Sequence, residues 1–301
     1  MVWRGGPKAF AANLPKQAKL PMPTFTQDNR LMRLTTPLGK DVLLLVGFTG
    51  YESVSQLFHF DVDAVAEANQ DIDFNGLLGQ KVTVEVTLPD AKKRFINGIC
   101  TRVTEGAQGD VFTAYQLHVV PKFWLLTQRS HSRIFQQLSV PDILKKVLDG
   151  LDFTLEVQGT FSPRDYCVQY RETDFHFASR LMEEEGIYYF FKHTQDGHTL
   201  VLANTPQSHP DMPVASTIIY EGVEGGNRNE DRVQVWAKTQ EVRSGKYTLW
   251  DHHFELPHKH LEATKPIQKT VQVGKVTHKL DAGPNANLEL YDFPRRIRRT
   301  L

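Results

Sequence analysis

Four histidines, His252, His253, His258 and His260, fall within nine residues, and a cluster of imidazoles is the first place to look for a bound transition metal. Such a site needs three or four converging ligands, each held by a supporting hydrogen bond. The run Tyr247–Leu256 reads as a strand, however, and adjacent strand residues face opposite ways, so His252 and His253 are poorly placed to share one ion. Surface or interface histidines are the expected reading. Asp251, His252 and a serine compose a hydrolytic triad only on paper, because no spacing brings a particular serine to them. Glu183, Glu184 and Glu185 could supply a carboxylate pair for acid–base work, but at the end of an amphipathic helix they read as a solvated face. Cys100 and Cys167 are the two cysteines; neither sits in a CxxC, and a reduced pair is expected. No P-loop, GxGxxG, GxSxG or HExxH occurs. The sequence thus assigns no catalytic, cofactor-binding or metal-ligating residue.

The elements that would have to position any such groups are mostly strands. In Leu57–Val65, Phe58, Phe60, Val62 and Ala64 alternate with His59, Asp61 and Asp63. In Lys81–Leu88, Val82, Val84, Val86 and Leu88 alternate with Lys81, Thr83, Glu85 and Thr87. Period-two alternation marks half-buried antiparallel strands. Phe95–Val103 and Tyr115–Val120 continue the series, with a turn expected at Gly106 and Gly109. Pro141-Asp142 opens a helix, because proline fits the first turn and aspartate favours the positive end of the dipole. Ile143, Leu144, Val147, Leu148 and Leu151 follow at helical spacing, with Gly150 near the end. A second helix is predicted from Thr173 to Glu185, with Thr173 or Asp174 as cap, an apolar face of Phe175, Ala178, Leu181 and Met182, and Gly186 as its C′ residue. Strands return at Ile187–Lys192, Thr199–Ala203, Val233–Lys238, Tyr247–Leu256, Thr270–Val276 and Leu288–Phe293, around a Gly- and Asn-rich loop at Glu221–Asp231. No internal repeat of fixed period is found.

Composition narrows the function classes. The chain has 301 residues, 40% of them hydrophobic and 23% charged, with 18 Phe, which suits a soluble protein with aromatic β cores. Lys+Arg and Asp+Glu are both 35, so overall charge gives no reason to expect nucleic acid or an anionic membrane as partner. No run of 18 apolar residues predicts a membrane span, and the proline-broken, basic first residues lack the apolar core of a signal peptide.

Several short motifs carry a resemblance. They are Gly50-Tyr51-Glu52-Ser53-Val54-Ser55-Gln56-Leu57-Phe58, Leu78 through Val84, Arg94 through Gly98, Pro121-Lys122-Phe123-Trp124-Leu125-Leu126, and Arg133-Ile134-Phe135-Gln136. The densest are Val168 through Phe175 and Arg180 through Ile187, and Leu288 through Pro294 closes the set. In this order they resemble the hub domain of VgrG proteins, the spikes of type VI secretion systems, a domain also found in contractile-phage tail proteins. The resemblance spans residues 30–294.

The resemblance implies a mainly β, α+β chain with two β-barrel-like domains of the phage tail hub type and a helical insert. Its divisions would be a loose N-terminal arm over 1–29, a first barrel over 30–125, a helical insert with a β-hairpin over 126–200, a second barrel over 201–294 and an aberrant basic tail over 295–301. It implies a structural role, adapting a six-fold tube to a trimeric puncturing spike for effector delivery, with no catalytic residues and no cofactors. Glu172 would bind backbone donors near the helix start, and Arg180 would pair with an acidic neighbour. The implied partners are further copies in a homotrimer weakened by truncation before the spike, tube-protein hexamers, baseplate proteins and effectors, with no nucleic acid and no membrane span. The implied location is the cytoplasm of the producing cell, with export by contractile injection. A cell-wall hydrolase, a stand-alone binding module and a non-functional remnant are the alternatives. The tail Arg295-Arg296-Ile297-Arg298-Arg299-Thr300-Leu301 suggests a reading-frame shift. The segment CCA GGC GAA TAC GCC GAA CGC TT encodes the expected Pro-Gly-Glu-Tyr-Ala-Glu-Arg, and in another frame it gives those terminal residues. A genuine basic tail is the alternative.

Overall fold

The structure is a computed structural model that describes residues 25–88, 91–209, 217–222, 232–252, 255–273, 276–280 and 283–293. The basic tail and the first 24 residues of the expected arm lie outside them, as does most of the Glu221–Asp231 loop. The chain forms two compact units, Met1–Ser216 and Thr217–Leu301.

In the first unit the strands are β1 (Met32–Thr35), β2 (Leu44–Tyr51), β3 (His59–Glu67), β4 (Lys81–Thr87), β5 (Lys93–Gln108) and β6 (Phe112–Val120). They make one antiparallel six-stranded sheet in the order β1-β4-β5-β6-β3-β2. The sheet is curled into a half-barrel. Alternation does what the sequence predicts: Phe60, Val62, Ala64 and Ala66 of β3 are buried while His59 and Asp63 face solvent. β5 continues past Gly106 with a register shift against β6 between Glu105 and Gln108, and the turn comes later, where Gly109 N–H donates to Phe112 O. Gly98 is fixed by close packing. A Cβ there would lie 2.6 Å from Val119 Cγ1 and 2.7 Å from Val120 O, so only glycine lets β5 and β6 approach this closely.

Curling leaves β1 and β2 as facing edges, and one side chain bridges them. Gln27, inside the arm expected over 1–29, is 4% exposed. Its Oε1 accepts from Leu34 N at 2.8 Å and Leu45 N at 3.0 Å, and its Nε2 donates to Leu34 O at 3.0 Å. Arg30 Nη1 donates to Leu45 O on the same seam. A side-chain amide therefore stands in for a peptide group between the two edge strands. Replacing Gln27 with Ala leaves two buried N–H groups without their acceptor, and we expect a loss of about 2 kcal/mol, measured by urea unfolding. Glu67→Ala, which removes only a surface-side contact to Phe25 N, serves as the control.

The rest of this unit packs on the sheet. It comprises β7 (Ser130–Phe135), α1 (Val140–Val147), β8 (Phe153–Glu156), β9 (Cys167–Thr173), α2 (Asp174–Glu185), β10 (Tyr188–His193) and β11 (His198–Ala203). β7 and β9 form an antiparallel ribbon; β10, β11 and β8 form a three-stranded sheet. α1 is capped by Ser139, whose side chain accepts from Asp142 N, and it buries Ile143, Leu144 and Val147. It ends a turn before the predicted Leu151. α2 is capped by Thr173, and Gly186 closes it at φ 67, the left-handed conformation that glycine adopts without strain. Its buried face holds Phe177, Ala178, Leu181 and Met182. Phe177 takes the central place expected for Phe175, which is partly buried at the margin. Helices, hairpin and first sheet share one apolar core, with Phe58, Leu117, Phe123, Leu144 and Leu181 at most 1% exposed.

The second unit contains β12 (Ile219–Tyr220), β13 (Arg232–Val233), β14 (Lys246–Asp251), β15 (Leu261–Pro266), β16 (Thr270–Val273), β17 (Val276–Lys279) and β18 (Glu289–Asp292). β14 is central, antiparallel to β15 and parallel to β18. The strand predicted at Thr270–Val276 is instead the first arm of a hairpin, with Val273 opposite Val276. The strand predicted at Val233–Lys238 is realised only at Arg232–Val233. Among the described residues of this unit, Leu261, at 8% exposed, is the only buried apolar side chain.

Candidate functional site

The motif-rich stretch Val168–Ile187 folds as β9, α2 and the turn into β10, so it gathers the residues most worth inspecting. Asp174, the first residue of α2, has a fully buried side chain. Three residues on one face of the β7 segment converge on it. Arg133 Nη2 donates to Oδ1 at 2.5 Å, His131 Nδ1 lies 3.1 Å from Oδ1, and Arg129 Nε lies 2.5 Å from Oδ2. Gln169 Nε2 adds a bond of 2.8 Å from β9. Burial alone would raise the Asp174 pKa. The hydrogen bonds from Gln169 and His131 and the charges of Arg133 and Arg129 outweigh it and hold the carboxyl below its usual range. This knot ties the β7–β9 ribbon to the start of α2.

A second pair lies beside it. Arg180 donates to both oxygens of Glu172, at 2.6 and 3.0 Å, and to Val168 O at 2.7 Å. Arg180 thus pairs with an acidic neighbour as expected, whereas the bonds seen at the Glu172 carboxylate come from this guanidinium and not from backbone donors. Glu184 and Glu185 are not simply a solvated face: Arg164 binds them at 2.6 and 2.9 Å, with its own side chain only 10% exposed. Arg164 thus fastens the end of α2 to the segment that leads into β9.

A third constellation joins the β10–β11 hairpin to the first sheet. His198 is 7% exposed. Its Nδ1 is 3.0 Å from Asn97 Oδ1, and its Nε2 accepts from Lys122 N at 2.9 Å. Only the neutral Nδ1–H tautomer satisfies both contacts. Burial, with help from the charges of His193 and Lys122, pushes its pKa down to about 4. Asn97 Nδ2 in turn donates to Thr83 Oγ1 at 2.6 Å, and Thr83 Oγ1 donates to Gln195 O at 3.1 Å. Single-sequence reading has no signal for this network, since Asn97 and His198 are 101 residues apart.

The histidine cluster is dispersed in role. His253 lies outside the described residues. His252 N–H donates to its neighbour Asp251, and His260 stacks on Trp250 at 4.8 Å. Among the described residues no three His, Cys, Asp or Glu side chains are grouped to hold a metal ion. Cys100 and Cys167 are buried and unpaired, and burial pushes the Cys100 thiol up to about 11, the mark of an inert thiol. Among the described residues no helix is long and apolar enough to cross a membrane.

The buried polar groups therefore fasten elements together. The family model described as phage tail baseplate hub (GPD) matches residues 51–300. The chain belongs to this hub family. Among its curated relatives is the type VI secretion system spike protein VgrG1c of Pseudomonas aeruginosa, 35% identical over 299 residues, covering 98% of this hub chain and 39% of that protein. VgrG1a of the same organism is 37% identical over 271 residues, covering 89% of the hub chain and 40% of the relative. The hub chain thus spans about two fifths of these relatives. Solved structures share the fold. The Escherichia coli c3393 protein, a type VI secretion component described as similar to T4 bacteriophage tail proteins gp27 and gp5, superposes with TM-score 0.54 at 22% identity, covering 62% of the hub chain and 52% of that chain. The prophage MuSo2 43 kDa tail protein of Shewanella oneidensis gives TM-score 0.54 at 15% identity, covering 88% and 73%.

Proposed function

We propose that this chain is the hub portion of a contractile-injection spike, associating as a homotrimer whose ring adapts a six-fold tube to a three-fold spike, and that it has no catalytic activity of its own. The observation that carries this reading is the apolar surface of the second unit. Trp236 is 78% exposed, Val235 83%, Tyr220 61%, Tyr291 55%, Leu290 52% and Phe293 50%. So much apolar surface beside a single well-buried apolar residue belongs to an assembly interface. Cyclic closure buries such a surface without open-ended growth. The first unit, with its curled sheet, one continuous core and ionic knots, supplies the stiffness an adaptor needs. Tube-protein hexamers, baseplate proteins and effectors are the partners this role entails, and export by contractile injection is the corresponding route.

Sedimentation equilibrium tests the assembly. We expect weak, concentration-dependent trimerisation and binding of tube protein to the associated form. A monomer that persists at the highest soluble concentration and does not bind tube protein would overturn the reading. Loss of peptidoglycan turbidity with purified chain, abolished by one point substitution, would overturn the non-catalytic part.

A further inference from the structure

The β7–β9 ribbon carries its ionic knot on one face only. Arg133 and Gln169 reach Asp174 on that face, so alternation puts Ile134, Val168 and Tyr170 on the other. There Tyr170 is 69% and Ile134 59% exposed. A bulge sets Tyr170 in this position. Between the pairs His131–Glu172 and Arg133–Gln169, Ser132 alone stands opposite both Tyr170 and Arg171. Arg171 has φ 51, a left-handed conformation that strains any side chain but glycine's. The fold gains little in return. The Arg171 N–H reaches Ser132 Oγ only at 3.4 Å, and the guanidinium lies 6.0 Å from the centre of the Tyr170 ring. Among the described residues it has no ion-pair partner. Bulges re-aim side chains, and an exposed tyrosine beside a strained, unpaired arginine has the makeup of a contact hot spot.

The same unit carries a surface of the opposite kind. In the turn between β5 and β6, Asp110 is exposed and Val111 is 40% exposed. Ala68 N–H donates to Val111 O at 2.8 Å, which ties the segment leading to Asp71 to this turn. Burial pushes the Tyr115 pKa up, and the charges of Glu105 and Asp71 add to it, so the potential on this side is negative. Among the described residues no cation pairs with Asp110, Glu105 or Asp71.

We infer that the Tyr170–Arg171 bulge of one copy docks on the β5–β6 turn of the next, with Arg171 facing Asp110 and Tyr170 covering Val111. This rests on the homotrimer proposed above and names a contact that its first units make. Charge selects the occupant. The bulge offers a cation beside an apolar ring, the turn offers a carboxylate beside an apolar side chain, and neither charge has a partner within its own copy. Each copy has one bulge and one turn, so a head-to-tail ring uses each once and leaves none over.

Sedimentation equilibrium of full-chain variants tests it. Arg171→Glu and Asp110→Lys should each weaken self-association at least about tenfold. A chain carrying both reverses the pair and should return to within about threefold of the wild type. Arg171→Gly should also associate at least about tenfold more weakly, yet melt about 2–4 °C higher, because glycine relieves the strain. A residue kept only for the fold would not separate those two readouts. If the wild type associates but Arg171→Glu leaves its affinity unchanged, or adding Asp110→Lys restores nothing, the contact is wrong and the trimer stands. Wild-type association by Arg171→Gly also refutes the contact. If the wild type does not associate at all, both readings fall.

Discussion

Asp174→Ala is expected to cost about 4 kcal/mol, the scale for stripping one partner from a buried ionic cluster. At about 2–4 °C per kcal/mol for a unit of this size, the melting point should fall by about 8–16 °C. The reason lies in what is left behind. Arg133 at 2.5 Å, His131 at 3.1 Å and Gln169 at 2.8 Å all converge on this side chain, which is 0% exposed. Without it, Arg129 and Arg133, 46% and 31% exposed, lose their counter-charge, and the buried Gln169 amide loses its acceptor. Asp174→Asn keeps the shape and one acceptor oxygen, so it should lie between the wild type and Asp174→Ala. Urea unfolding of all three decides the matter. A loss below about 1 kcal/mol for Asp174→Ala, the size of an exposed ion pair, would show that the knot is decorative.

Acid should weaken the first unit in a window set by His198. Its folded pKa is depressed from 6.5 to about 4, so the unfolded chain takes up the proton first. The stability due to the neutral ring is complete above pH 6.5 and is lost as pH falls towards 4. At 1.36 kcal/mol per unit the full loss is about 3 kcal/mol. The geometry gives the cause: protonation would set an Nε2–H against the Lys122 N–H that now donates to it. Unfolding free energies at pH 7, 5.5 and 4.5 should fall steadily in the wild type. They should fall much less in His198→Gln, which begins lower but has nothing to titrate there. An unchanged slope in the variant would remove His198 as the source. The Asp174 carboxyl adds its own loss only below its unperturbed value of 3.8, outside this window.

Much of the architecture was readable from periodicity, and the failures have physical causes. β3 follows alternation because one of its faces is in the core, whereas β4 also buries Thr83, between Val82 and Val84, where its hydroxyl meets Gln195 O. α2 was legible from its cap and its glycine stop. Its Asp174 was misjudged, because an acidic residue at a helix start reads as a cap, and only the three-dimensional arrival of Arg129, His131 and Arg133 makes it a buried hub. Gln27 gave no signal, since one glutamine after a proline-rich stretch looks like any polar loop residue. The single strand expected at Thr270–Val276 failed because alternation alone does not mark where a chain reverses. Val233–Lys238 has a strand's composition without a strand's ladder, and composition records a preference for pairing, not the presence of a partner.

The seam beside Gln27 has a mechanical meaning. A slit tube resists bending nearly as well as a closed one, yet twists far more easily, because its two lips slide past each other. A fastener across the slit restores resistance at one height only. The first unit has such a slit between β1 and β2, fastened by one amide and one guanidinium. Under a torque the lips would slip at Leu34 and Leu45 before any ladder opened, and the amide protons of those two residues should exchange earliest among the buried strand positions. A hub that must pass on a thrust while accepting some rotation would have its compliance there, in a single replaceable side chain.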